Sequence, residues 1–287
     1  MLSKTITQKP TLLKTATIWP NKPSKNLTRA YSTSDKLSLI HSYIISTEKA
    51  LLNVPSGRIQ LHSSKGYPRF YYYENNDSVG KYVSANDLFL ISSICQRDYN
   101  NKALLILYKL QNAIAKGIDV NIPYELDKIY HAFKPGKREL ISPLITPIEE
   151  YINQWYSTFP PSQNKYPMSI NLETNKGEFV RSKSEKIIAD KLFAMNIPYA
   201  YEPALTLNGK TKYPDFLVLN RTTRETYIWE HFGLSDSNEY SDNNLAKLAD
   251  YEHSGYYLGK SLIATFESKE HPLDSTFVDQ KIEAFLL

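Results

Sequence analysis

Two apolar segments in the last third of the chain each contain one acidic residue that packing alone does not explain. The first reads Tyr213-Pro214-Asp215-Phe216-Leu217-Val218-Leu219. Proline has no backbone donor and belongs at a strand start, so Asp215 opens an otherwise apolar strand. The second reads Tyr227-Ile228-Trp229-Glu230-His231-Phe232-Gly233, with Glu230 inside the run. Turn-forming residues at 221–225 separate the two, which predicts an antiparallel hairpin. In that pairing the start of the first strand neighbours the end of the second. Asp215 and Glu230 then meet at one end of a sheet.

A third carboxylate precedes them. The spacing of Ile188, Ala189 and Leu192 predicts a helix over about 181–195, and Glu185 falls on the same stripe. Each acid has an ordinary explanation when taken singly. Glu185 sits at a helix N-terminus, where the dipole favours an acid and Ser182 or Ser184 caps, and Asp215 reads as an edge-strand residue in solvent. Together they describe a carboxylate cluster, whose members raise one another's pKa unless a cation lies among them. An all-oxygen donor set suits Mg²⁺ or Mn²⁺, and such an ion serves phosphodiester hydrolysis.

From residue 178 onward the order is helix, three strands, helix, strand, helix. The strands fall near 199–207, 213–220, 225–232 and 260–266, and the later helices near 242–255 and 275–286. Asn208-Gly209 marks a hairpin turn. A mixed sheet flanked by helices follows, in the α+β or α/β class. Upstream, a helix is predicted over 36–53 with Asp35 as its N-cap, then a hairpin from Arg58–His62 and Arg69–Tyr73 about the turn Lys65–Pro68. A third short strand (80–83) and helices near 85–96, 99–116, 124–133 and 147–158 complete a mainly helical module. The expected divisions are a basic flexible tail (1–35), this module (36–158), a proline-containing linker (159–177) and the sheet domain (178–287).

Charge is divided the same way. Residues 1–167 hold 21 Lys and Arg against 12 Asp and Glu, whereas residues 168–287 hold 13 against 18. A basic front half suits a polyanion and an acidic back half suits a cation site, although two unlike solvated surfaces would give the same sums. The first 34 residues carry six basic residues and no acid, the composition of a loose tail or of an organellar transit peptide. The single cysteine, Cys95, excludes an internal disulfide and a cysteine metal cluster and favours a reducing, cytoplasmic setting. No run of about 18 apolar residues is present, so no membrane partner is expected. Glycine-rich phosphate loops are absent, which removes a nucleotide hydrolase.

Residues 178–286 resemble the PD-(D/E)XK nuclease superfamily, with its restriction-endonuclease-like fold. The matching pieces are Ser184-Glu185 in the first helix, Tyr213-Pro214-Asp215 opening the second core strand, and Glu230 in the third, spaced by 30 and 15 residues. The likeness extends to uncharacterised bacterial proteins that carry stretches similar to Val180–Glu185, Tyr213–Phe216 and Trp229–Gly233 behind an N-terminal helical or hairpin module. The resemblance implies a Mg²⁺- or Mn²⁺-dependent endonuclease acting on nucleic acid, with DNA as the expected substrate. Asp215, Glu230 and Glu185 would be the metal ligands. A homodimer, or a larger defence or mobile-element complex, is compatible with that family type.

One position departs from the pattern. The superfamily lysine belongs two residues after Glu230, where this chain has Phe232. Lys247, in the following helix, and His231 are the two substitutes. Strand alternation points His231 to the opposite face, which favours Lys247. Arg181 and Lys183 flank Glu185 and are candidate phosphate contacts, and Glu202 is a weaker candidate ligand. Arg69 and the run Tyr71-Tyr72-Tyr73 read either as a base-stacking surface or as one face of a hairpin packed on the helical module. Two other functions compete: a catalytically inactive nuclease-fold protein that binds nucleic acid, supported by Phe232, and an RNA-cleaving enzyme of the same fold.

Overall fold

The computed structural model describes residues 32–64, 67–75, 77–84, 87–168, 171–233 and 238–287. The expected tail, as far as residue 31, and the turn residues Lys65 and Gly66 lie outside them. The fold is a mixture of helices and small sheets. The described residues divide into two units, one ending at Pro147 and the other running Ile148–Leu287. No helix among them is long and apolar enough to cross a membrane.

In the first unit, α1 (Thr33–Ala50) starts one turn earlier than Asp35 suggested. Ser32 is the N-cap and accepts from the Asp35 amide, while the Asp35 side chain returns to the Ser32 backbone, a reciprocal capping box. Three antiparallel strands follow, β1 (Arg58–Ser64), β2 (Tyr67–Tyr73) and β3 (Lys81–Val83), in the order β1-β2-β3. The two helices expected over 85–116 are one continuous helix, α2 (Leu88–Ala115). Ile91, Cys95, Tyr99 and Ala103 carry its buried stripe through the expected break. Helices α3 (Ile122–His131) and α4 (Pro135–Arg138) close the unit. Ile59, Phe70 and Val83 bury the inner sheet face in the same core as Leu39, Ile94 and Leu126.

The second unit begins with α5 (Ile148–Thr158), which the sequence reading placed in the front module. Tyr151, Trp155 and Phe159 recur every fourth residue and pack with Leu217, Leu219 and Ile228. The expected linker contains β4 (Leu172–Glu173), which pairs with β5 (Phe179–Val180). Next come α6 (Lys183–Ala194), β6 (Tyr199–Tyr201), β7 (Leu205–Leu207), β8 (Lys210–Lys212), β9 (Phe216–Leu219), β10 (Thr226–Gly233), α7 (Asn238–His253), β11 (Leu262–Glu267) and α8 (Ser275–Leu286).

The strand expected over 199–207 is broken at Glu202, which has φ 41°. Its second half pairs instead with β8 about the Asn208-Gly209 turn. The central sheet has the order β11-β10-β9-β6, with β9 antiparallel to both neighbours and β10 parallel to β11. Both its faces are covered. On one, Ile188, Leu192, Val278 and Ile282 of α6 and α8 meet Phe216, Val218 and Trp229. On the other, α5 and Tyr251 of α7 meet Leu217, Leu219 and Ile228.

Candidate active site

Register places the two strand acids. Trp229 pairs with Phe216 across β10 and β9, so the next residue along each strand end brings Glu230 beside Asp215. Period-two alternation sends Trp229, Phe216 and Val218 toward α6, and Glu230 toward α7. Glu230 is completely buried. An unpaired carboxylate there would be very costly, and two groups of α7 answer it. The Lys247 ammonium lies 2.6 Å from Glu230 Oε2 and 4.0 Å from Asp215 Oδ1. The Tyr251 hydroxyl donates to Glu230 Oε1. Lys247 and Tyr251 are four residues apart, hence on one helix face.

Asp215 is only partly buried, its side chain 19% exposed. Its Oδ2 accepts the backbone amide of His231 at 2.7 Å, which locks the β9 entry to the β10 end. Burial, and then the Asp215 charge, push the Glu230 carboxyl up to about 8, against the lowering pull of Lys247. Burial works against the Lys247 ammonium, but Glu230 and Asp215 outweigh it and hold its pKa above the ordinary lysine value.

Glu185 arrives from the other face, at the third position of α6. Ser182 caps the helix by accepting the Glu185 amide at 3.1 Å. The Glu185 carboxylate accepts from the Arg181 amide at 2.8 Å and from the Tyr201 hydroxyl at 2.9 Å. Burial, then the Asp215 charge, raise its pKa. Asp215 is thus felt by both other acids. The helix-cap explanation of Glu185 holds locally, and the coupling to Asp215 is additional to it.

His231 points to the face opposite Glu230, as alternation requires. Its ring Nδ1 is 3.0 Å from Thr265 Oγ1 and its Nε2 is 3.2 Å from Glu267 Oε1, with the side chain 4% exposed. Ser184 Oγ donates to the other Glu267 oxygen at 2.6 Å. Glu267 therefore ties the start of α6 to β10 and β11. Phe232 is buried and stacks on Phe266, with centroids 5.5 Å apart.

The phosphate-contact candidates separate. Arg181 forks onto Glu202 at 2.8 and 3.2 Å and donates to the Pro167 and Tyr166 carbonyls. Its guanidinium is committed to the fold rather than free for phosphate. The same contacts make Glu202 the partner of a cation in its own chain. Lys183 is exposed and forms no ion pair among the described residues. Sequence reasoning missed Tyr201 and Glu267 and gave Tyr251 no role. The i, i+4 spacing from Lys247 was the available signal for Tyr251.

Among the described residues, no three His, Cys, Asp or Glu side chains group closely enough to hold a metal by themselves. Mg²⁺ does not need three, since it is commonly held by one or two carboxylates with water and substrate phosphate oxygens completing the shell. Asp215 offers hard oxygen donors on its partly exposed side, whereas both oxygens of the buried Glu230 are engaged by Lys247 and Tyr251. No family model matches the chain, and no curated protein matches it significantly.

Proposed function

We propose that the second unit is a restriction-endonuclease-like domain of the PD-(D/E)XK type and that the protein is a Mg²⁺- or Mn²⁺-dependent nuclease, with DNA as its expected substrate. The observation that carries the reading is the Lys247 ammonium set between Asp215 and Glu230, at 4.0 and 2.6 Å. It restores, from α7, the cation that Phe232 removes from the strand.

Asp215 and Glu230 would hold the dication, and Glu185 would complete the acidic cluster. Bound there, the ion supplies the Lewis acidity that phosphodiester hydrolysis uses. The chain's own groups do the rest. Asp215 is fixed by the His231 amide, so its free oxygen is presented without reorganisation. The Lys247 side chain is 38% exposed while its ammonium is held on Glu230, so it can turn from Glu230 to a phosphate oxygen placed beside Asp215. Tyr251 keeps one Glu230 oxygen oriented. His231 orients the site through its amide, while its ring braces the opposite face. The reading includes a cytoplasmic setting, in which Cys95 stays a buried free thiol.

A second reading is a metal-free nuclease-fold protein that binds nucleic acid without cleaving it. It is favoured by the occupation of both Glu230 oxygens by Lys247 and Tyr251. The test is incubation of the full chain with plasmid, linear duplex, single strands and RNA, with Mg²⁺, with Mn²⁺ and with chelator. Metal-dependent products that chelator abolishes are expected. Intact substrates in every tube would select the second reading.

A further inference from the structure

The outer face of the front sheet carries a different chemistry from the rest of that unit. Register and alternation divide the tyrosine run of β2. Tyr72 lies with Phe70 against the helical core, while Tyr71 and Tyr73 face outward. The outward positions of the three strands are Arg58, Gln60 and His62 on β1, Arg69, Tyr71 and Tyr73 on β2, and Tyr82 on β3. None is acidic.

The aromatic rings form a row. His62 meets Tyr71 edge-on at 5.1 Å, and Tyr71 meets Tyr82 edge-on at 5.8 Å. Tyr82 is 62% exposed. Tyr73 is less available, because Arg58 covers its ring at 4.2 Å. A row of rings exposed at His62 and Tyr82, with Tyr71 half-buried between them and arginines beside it, can stack bases and neutralise phosphates.

A cleft of about 720 Å³ adjoins this face along the free edge of β1, and Gln60 and His62 belong to both. Lys102, Lys134 and Lys137 line it with Asp98 as its one acid. Arg97 already neutralises Asp98, with a 2.7 Å contact. Lys102 lies over the Phe133 ring at 4.7 Å, and neither Lys102 nor Lys134 forms an ion pair among the described residues. Lys137 donates to the Ile59 carbonyl at 2.8 Å. Two cations without a counter-charge, Lys102 and Lys134, therefore border a row of rings in which His62 and Tyr82 are exposed and Tyr71 is half-buried.

We propose that this surface binds single-stranded nucleic acid, with bases stacked on Tyr71, Tyr82 and His62 and the sugar-phosphate backbone following the lysine-lined cleft beside β1. A duplex keeps its base faces covered and fits the same surface poorly. An acidic polypeptide would match the charge but leave the ring row unused. The proposal does not depend on the nuclease reading of the second unit.

The experiment is fluorescence anisotropy of the full chain in chelator, so that no cleavage intervenes, with labelled single-stranded DNA and RNA of ~12 nucleotides, duplex DNA and polyglutamate. Single strands are expected to bind more tightly than duplex. Tyr82→Ala and Tyr71→Ala should each weaken single-strand binding by roughly tenfold, with Tyr82→Phe near wild type. Lys102→Ala with Lys134→Ala should weaken binding and flatten its salt dependence. Tyr82 is exposed, so its variant keeps the test open if Tyr71→Ala does not fold. Unchanged affinity in Tyr82→Ala, duplex bound as tightly as single strands, or displacement of the strand by equimolar polyglutamate would each overturn the proposal.

Discussion

The Lys247 ammonium lies 2.6 Å from the Glu230 carboxylate, from a helix that follows the strand carrying Glu230. Two residues after Glu230 the strand carries Phe232, packed on Phe266. If the Lys247 charge acts on substrate, Lys247→Met, which keeps the apolar stem, should slow cleavage about 10²-fold or more. His231→Ala should cost less, since its ring faces Thr265 and Glu267. Single-turnover rates of the two variants check the ranking, and a greater loss in His231→Ala would reverse it.

The acids make a stronger demand. Asp215→Ala and Glu230→Ala should each abolish cleavage, because each removes a proposed ligand. They should part in stability. Asp215→Ala relieves repulsion felt by Glu230 and Glu185 and should leave the fold intact. Glu230→Ala takes a fully buried hydrogen-bond partner from Lys247 and Tyr251, with Asp215 still 4.0 Å from the ammonium, and should destabilise by about 1–3 kcal/mol. Cleavage assays and denaturant melts of the same preparations separate the two effects.

Burial and Asp215 push Glu230 from its ordinary 4.5 up to about 8. The folded chain then binds more protons than the unfolded chain between those values, so this group makes stability fall as pH rises from about 4.5 to about 8. Asp215→Asn removes the charge contribution and should narrow that window from the top. Urea melts across pH, in chelator, should show the wild-type decline and a smaller one in the variant. A wild-type profile that rises across the window would contradict the assignment.

Much of the second unit was legible because its signals are local. Apolar runs with one acid each gave β9 and β10, and Asn208-Gly209 gave the turn between β7 and β8. What was not legible depends on partners distant in sequence. The helix at 148–158 shows an aromatic stripe but not which core receives it. Glu202 looks like a spare carboxylate until Arg181 is seen on it. The break at 202 is a positive-φ residue that composition does not announce. Glu267 ends a strand, and only the fold brings Ser184 and His231 to it.

Trp155 tests the reassigned helix. It is fully buried, and its indole donates to Thr226 at 2.9 Å. Trp155→Ala should destabilise the second unit by about 3–5 kcal/mol. For the same reason a truncation at residue 158 would unfold that unit, whereas one at 147 removes the front unit alone. Thermal melts of both truncations check the boundary.

Calorimetric titration of Mn²⁺ into the metal-free protein decides whether Asp215 and Glu230 hold a divalent cation. Binding is predicted in the wild type, with a heat that varies with buffer because Glu230 releases a proton on ligation. Asp215→Asn should abolish it. An absence of binding in the wild type, or equal binding in the variant, would contradict the account.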